Sequence, residues 1–213
     1  MLYLRKNISK NTILGIWRMD ESLDDLYSML DRKDWLTTVE PIKSLSRKRE
    51  MLATRVLLKE LLGEEKQISY HNSGKPYLAD QSNEISISHT RKYVAVVLDQ
   101  SHTVGLDIEQ LSDKIFRVKD RVIAKGDYID PDNEQVHLLL HWSAKEAMFK
   151  YLDAEGVDFR TNLHIKDFKP EREGIFEASE SKTAKGQTFD AHYLVDTEFV
   201  LVCLLEKYMR YQK

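Results

Sequence analysis

The chain has 213 residues, of which 42% are hydrophobic and 31% charged, with a formal net charge of -3 and one cysteine. A chain of this length can bury about two-thirds of its unfolded surface, so a globular protein with a real core is expected, and disordered or fibrous classes are excluded. The near-neutral balance argues against a dedicated nucleic-acid binder, and Cys203, alone inside the apolar run Phe199 to Leu205, argues against a disulfide framework or a thiol-rich metal site.

The first twenty residues mix Arg5, Lys6, Lys10 and Arg18 with short apolar stretches and do not resemble a secretory leader. No apolar run approaches the length of about 20 residues that spans a bilayer, so a cytoplasmic protein without a membrane partner is expected. Residues 12–17 read as a first strand, and Asp20-Glu21-Ser22 supply capping residues for a helix through about Asp31. Ser46 is placed to cap a helix through Leu62, with Gly63 as its stop. The cluster Asn72-Ser73-Gly74-Lys75-Pro76 is a turn. Residues 84–88 and 93–98 read as paired strands around Thr90-Arg91-Lys92, and a turn near Gln100 leads to another strand, Val104 to Glu109.

Residues 113–134 read as short helices and loop, and Gln135 to Leu152 as a helix by length and period. Alternation follows in 163–168, then a polar loop over 177–187, and two closing strands at 189–194 and 198–205. Each half thus shows a helix plus several strands, with halves at 1–102 and 103–213, although no fixed-period repeat is present.

Within Val104-Gly105-Leu106-Asp107-Ile108-Glu109, alternation puts Gly105, Asp107 and Glu109 on one strand face. Two carboxylates so placed repel unless a cation sits between them, and a hard divalent ion suits oxygen ligands. Gly105 would leave room for a ligand near the backbone. In His141-Trp142-Ser143-Ala144-Lys145-Glu146-Ala147-Met148-Phe149-Lys150, helical spacing stacks Trp142, Glu146 and Lys150 on one face. Glu146 suits a third metal carboxylate or a general base, and Lys150 a cation facing phosphate. Ser88-His89-Thr90 closes a strand where an anion can be held. The basic helix with Arg47, Lys48, Arg49 and Arg55, and Lys75 in its turn, add cations that suit phosphates. Each feature alone also has a plain alternative: a solvated edge strand, a surface ion pair, a structural histidine, a charged helix face. His71, His102, His137, His141, His164 and His192 show no convincing metal spacing and read as surface or structural residues.

Taken in order, the basic helix, Gly-Lys-Pro, Ser-His-Thr, Gly-Leu-Asp-Ile-Glu and Trp-Ser-Ala-Lys-Glu-Ala-Met-Phe-Lys resemble the 4′-phosphopantetheinyl transferases, in particular the larger, surfactin-synthetase and enterobactin type. The resemblance runs from about Arg47 to Lys150, with Ser86 where the family often has Asn and Thr90 where Ser is commoner. It implies an α+β fold of two pseudo-symmetric halves, each a small, mostly antiparallel sheet packed with a helix, with coenzyme A in the cleft between them. It further implies a monomeric, magnesium-dependent enzyme that transfers the 4′-phosphopantetheine arm of coenzyme A to a serine of an apo acyl or peptidyl carrier protein. On that resemblance Asp107, Glu109 and Glu146 match the magnesium ligands, with Glu146 also deprotonating the serine, and Lys150 lies beside the pyrophosphate. Arg49, Arg55, Lys75, Ser88 and His89 match the groups that grip the phosphates of coenzyme A. A non-catalytic relative that binds coenzyme A or a carrier, and an unrelated magnesium-dependent phosphohydrolase, are the competing readings.

Overall fold

In the computed structural model, which describes residues 1–32 and 36–207, the chain divides after Ser101 into two compact units, each with its own sheet and long helix. All strand pairs are antiparallel, so the fold is α+β. The expected second half ends at Lys213, beyond the described residues.

The first unit begins with strands β1 (Leu2–Asn7) and β2 (Thr12–Arg18), followed by short helices α1 (Leu23–Ser28) and α2 (Leu36–Val39) and the long helix α3 (Leu45–Leu62). A small hairpin of β3 (Ile68–Tyr70) and β4 (Pro76–Leu78) precedes β5 (Glu84–His89) and β6 (Tyr93–Asp99). The main sheet has the order β1-β2-β6-β5. Helix α1 is shorter than its sequence suggests: Ser22 and Asp25 form a reciprocal capping box, and the chain leaves the helix at Met29. Ser44 rather than Ser46 caps α3, its hydroxyl accepting the Arg47 N–H. Gly63 ends α3 as expected, in the left-handed region at φ 77°, its N–H donating to the Lys59 carbonyl at 2.7 Å. Leu52, Val56 and Leu57 of α3 pack on Val94, Val96 and Leu98 of β6 to form the core.

The second unit runs β7 (Gly105–Gln110), a short helix α4 (Ile115–Val118), a loop through two single 3-10 turns, and helix α5 (Glu134–Leu152). Strands β8 (Leu163–Ile165), β9 (Glu173–Glu180), β10 (Thr188–Val195) and β11 (Phe199–Glu206) complete a sheet of order β7-β11-β10-β9-β8. Leu140, Ala144 and Met148 of α5 pack against Val200, Val202 and Leu204 of β11, and Cys203 is a buried free thiol. The polar stretch read as loop from residue 177 is strand as far as Glu180, because Phe176, Ala178 and Glu180 alternate inward. Buried Glu180 then organises the remaining turn by accepting the backbone N–H groups of Lys182, Thr183 and Gln187.

One plan occurs twice: a first strand, a long helix, and a hairpin whose last strand pairs with the first, as β2-α3-β5-β6 and as β7-α5-β10-β11. A glycine in each first strand admits the helix. A methyl group on Gly15 would lie 2.8 Å from Leu57 Cδ1 and 2.9 Å from Leu61 Cδ2, whereas on Gly105 it would lie 2.4 Å from the Ala147 carbonyl oxygen. Side-chain ends can swing aside and a helical carbonyl cannot. Gly105→Ala is therefore expected to cost about 2–3 kcal/mol and Gly15→Ala about 1 kcal/mol or less, as measured by chemical denaturation of the two variants. Equal losses would refute this difference in packing.

Candidate active site

Strand β7 turns its polar face toward α5, so the space at Gly105 is filled by that helix rather than by a ligand. One turn of α5 after another meets this face. The Trp142 indole N–H donates to Glu109 Oε1 at 2.8 Å, and the Ser143 hydroxyl donates to Asp107 Oδ2 at 2.8 Å. Lys150 Nζ forms an ion pair with Asp107 Oδ1 at 2.7 Å and donates to the Leu106 carbonyl at 3.2 Å. Trp142, Glu146 and Lys150 are all partly exposed, as their i, i+4, i+8 spacing requires, whereas Asp107 beneath them is only 4% exposed.

The charges in this patch are strongly coupled. Burial, and then the negative charge of Asp107, lift the Glu109 carboxyl to about 7, with Glu146 adding to the effect. Burial and Asp107 also push Glu146 above the usual carboxylate range, against the opposing pull of Lys150. Two acids lifted in this way beside the carboxylate of Asp107 constitute a site that favours added positive charge. Their hard oxygen donors fit a divalent cation such as magnesium. Among the described residues, however, no three His, Cys, Asp or Glu side chains converge as a ready metal cluster. Asp107 gives its two oxygens to Lys150 and Ser143 instead.

The phosphate-binding candidates lie in the first unit. A pocket of about 160 Å³ is lined by Arg47, Met51, Thr54 and Arg55 of α3, Tyr70, Gly74 and Pro76 of the hairpin, and Ile87 and His89 of β5. Arg47 Nη1 lies 3.0 Å from His89 Nε2, and Glu50 accepts from Arg47 at 3.1 Å. Lys75 is carried between Gly74 and Pro76, where Gly74 takes φ 89° and its N–H donates to the His71 carbonyl. Arg55 lines this pocket as its spacing implies, but Arg49 does not: Arg47, Met51 and Arg55 stack at i, i+4 and i+8, and Arg49 projects elsewhere as an exposed residue. Ser88 is also separated from His89. Alternation along β5 buries Ser88 on the opposite sheet face.

Two contributors carried no assignment from sequence. Ser143 shares its helical face with Lys150, seven residues on, so the spacing holds the signal for its bond to Asp107. Lys145 reads like a surface lysine but is fully buried, donating to the Val122 carbonyl at 2.7 Å and pairing with Asp127 at 3.2 Å.

Because Asp107 forms an ion pair with Lys150 and accepts the hydroxyl of Ser143, Asp107→Ala is expected to destabilise the metal-free protein by about 2–3 kcal/mol. Asp107→Asn, which keeps an acceptor for Ser143, should lose about half as much. Urea denaturation of both variants checks this, and an unchanged midpoint for Asp107→Ala would refute the ion pair's structural part.

Comparison with known proteins bears on the same segment. Residues 103–203 match the family model of the 4′-phosphopantetheinyl transferase superfamily. A Haemophilus influenzae protein, named provisionally as a 4′-phosphopantetheinyl transferase, is 31% identical over 118 residues. That match covers 52% of this chain and 48% of the relative, so the aligned stretch spans about half of that protein's length. The match takes in β7, α5 and the carboxylates between them, and over residues 103–203 the chain is similar to the 4′-phosphopantetheinyl transferase superfamily.

Proposed function

We propose that this protein transfers the 4′-phosphopantetheine arm of coenzyme A to a serine of an apo acyl or peptidyl carrier protein, releasing 3′,5′-ADP, as a holo-carrier synthase. The observation that carries this reading is the coupled set of Asp107, Glu109 and Glu146 with Lys150 on the β7 and α5 faces, inside the segment matched to the family. Asp107, Glu109 and Glu146 are the groups that would hold magnesium. When bound, that ion would neutralise pyrophosphate oxygens and ease attack on phosphorus.

The chain's own groups take the remaining roles. Glu146 is raised above the ordinary carboxylate range, which makes it a better proton acceptor for the attacking serine hydroxyl. Lys150 supplies the cation that offsets charge on the 5′-phosphate of the leaving 3′,5′-ADP, and Trp142 holds Glu109 in place through its indole N–H. Arg47, Arg55, Lys75 and His89 bind the phosphates of coenzyme A, with Arg47 taking the part that the resemblance implies for Arg49. The duplicated strand-helix-hairpin plan supports placement with the larger, two-halved members, acting as a monomer in the cytoplasm, where coenzyme A and carrier proteins meet. No helix among the described residues is long and apolar enough to cross a membrane.

Mass spectrometry of an apo carrier protein incubated with coenzyme A, with and without magnesium, tests the reading. The expected outcome is a magnesium-dependent gain of about 340 Da on the carrier serine, the transferred arm. Coenzyme A binding without that gain on any of several carriers would instead indicate a non-catalytic relative, and nucleotide release without a carrier a hydrolase.

The two arginines are separable by kinetics. Arg47→Ala is expected to raise the KM for coenzyme A about tenfold or more, and Arg49→Ala to leave it within about twofold, since a lost phosphate contact of a charged donor is worth about 1.5–3 kcal/mol. The reverse order would return the phosphate grip to Arg49.

A further inference from the structure

Helix α5 carries a second titratable stripe, one residue round from Trp142, Glu146 and Lys150. His137, His141 and Lys145 follow one another at i, i+4 and i+8, at 0%, 1% and 0% exposure. The loop before α5 is fastened to this stripe. The Asp130 N–H donates to His137 Nδ1 at 2.9 Å, Lys145 Nζ donates to the Val122 carbonyl, and Asp127 pairs with Lys145 while accepting the Ala124 N–H at 2.9 Å.

The bond from Asp130 fixes the state of His137. A ring nitrogen that accepts a backbone N–H carries no proton, so the ring is neutral with its hydrogen on Nε2. Among the described residues neither His137 Nε2 nor His141 Nδ1 has a hydrogen-bond partner, although both atoms are buried. The two rings lie 4.9 Å apart edge to face, with Phe168 4.5 Å from His137 and stacked 6.1 Å from His141. Tyr128 of the loop closes the His137 side at 5.8 Å.

The nearby charges on balance oppose a cation on His141, whereas at His137 two carboxylates favour one and burial opposes it. Asp127 lies 4.0 Å from His141 Nδ1 but is already paired with Lys145, whose ammonium and the neighbouring His137 oppose a charge on His141. Around His137 stand Asp130, whose carboxylate caps Asp132 and Asn133, and Asp167, with Lys169 acting on Asp130 from the far side. Asp158 and Arg160 act on Lys145 with opposite sign. A proton on His137 Nδ1 removes the acceptor of the Asp130 N–H and sets two donors face to face.

We propose that the loop from Lys119 to Asn133 is a proton-operated latch on α5, closed while His137 and His141 are neutral and released when they are protonated. The device is independent of the reaction assigned above. It acts on the helix that carries Glu146 and Lys150, so opening the loop removes the Val122 anchor of Lys145, the immediate neighbour of Glu146.

The sign follows from the same geometry. Burial pushes His141 down to about 3, and burial also lowers His137. An imidazole freed from the closed loop returns to its ordinary value of 6.5. Closure is therefore fully favoured above about pH 6.5 and is lost progressively as pH falls from there toward the depressed value.

Amide hydrogen exchange on the full chain, normalised for intrinsic exchange, tests the latch at pH 7.5 and 5.0. The protection of Ala124 and Asp130 is expected to fall about thirtyfold at the lower pH for each imidazole that titrates on opening. Ala191 and Val202, in strands β10 and β11, should keep theirs. His137→Asn, which leaves an amide oxygen near the Nδ1 position, combined with His141→Phe, should make loop protection equal at the two pH values. Unchanged wild-type protection at pH 5.0 overturns the proposal, as does an equal loss in the double variant. If the double variant does not fold, His137→Asn alone must show a smaller pH effect than wild type. The imidazole NMR signals give a second readout: titration near 6.5 with loop protection intact would also overturn it.

Discussion

The approach of α5 to β7 at Gly105 is the constraint on which the candidate active site depends. With no side chain at residue 105, the Ala147 carbonyl sits where a methyl group would be. A strand normally presents its polar face to solvent and its apolar face to a helix. Here the face carrying Asp107 and Glu109 is the one α5 covers. Their partners are therefore side chains of one helix, Trp142, Ser143 and Lys150, at positions set by its 3.6-residue period.

Placing acids under a helix has an electrostatic cost, and the distribution of charge shows how it is met. Asp107, the deepest, has both a lysine and a hydroxyl, while Glu109 accepts the indole N–H and is lifted to about 7. Glu146 is displaced in the same direction. A patch so short of positive charge suits an added cation better than an evenly balanced one. The same surplus of negative charge makes Lys150 structural when no cation is bound, since it is then the counter-charge of Asp107.

The first unit repeats the strand-helix-hairpin plan but supplies opposite chemistry. Gly15 admits α3 against β2 as Gly105 admits α5 against β7, and the softer contact at Gly15 is with leucine ends. Where the second unit gathers carboxylates, the first gathers Arg47, Arg55 and His89 around a small pocket beside the Gly74-Lys75-Pro76 turn. One backbone plan thus carries a cluster of cations in one copy and a cluster of carboxylates in the other, because the plan fixes where side chains stand and not their chemistry.

Much of this was legible in the sequence. Period-two alternation placed Asp107 with Glu109, and helical spacing placed Trp142, Glu146 and Lys150 on one face, because both patterns are local consequences of backbone geometry. Gly63 marked the end of α3 for the same reason. Strand β1 and the β3-β4 hairpin were not legible: their short runs mix charge with few apolar residues and are held by pairing with distant neighbours. The strand expected to end at residue 88 continues as β5 through His89, so alternation parts His89 from Ser88; that Arg47 rather than Arg49 meets the pocket depends on the rotation of α3 in the assembled unit. The sequence by itself determined which residues share a face of each element and the family to which that pattern is similar. Only the tertiary structure decided what each face meets: a helix over Gly105, a lysine on Asp107, a loop clamped over buried His137, His141 and Lys145. The reason is physical, since periodicity is a property of the chain alone, whereas burial and partner choice arise between segments that are far apart in sequence.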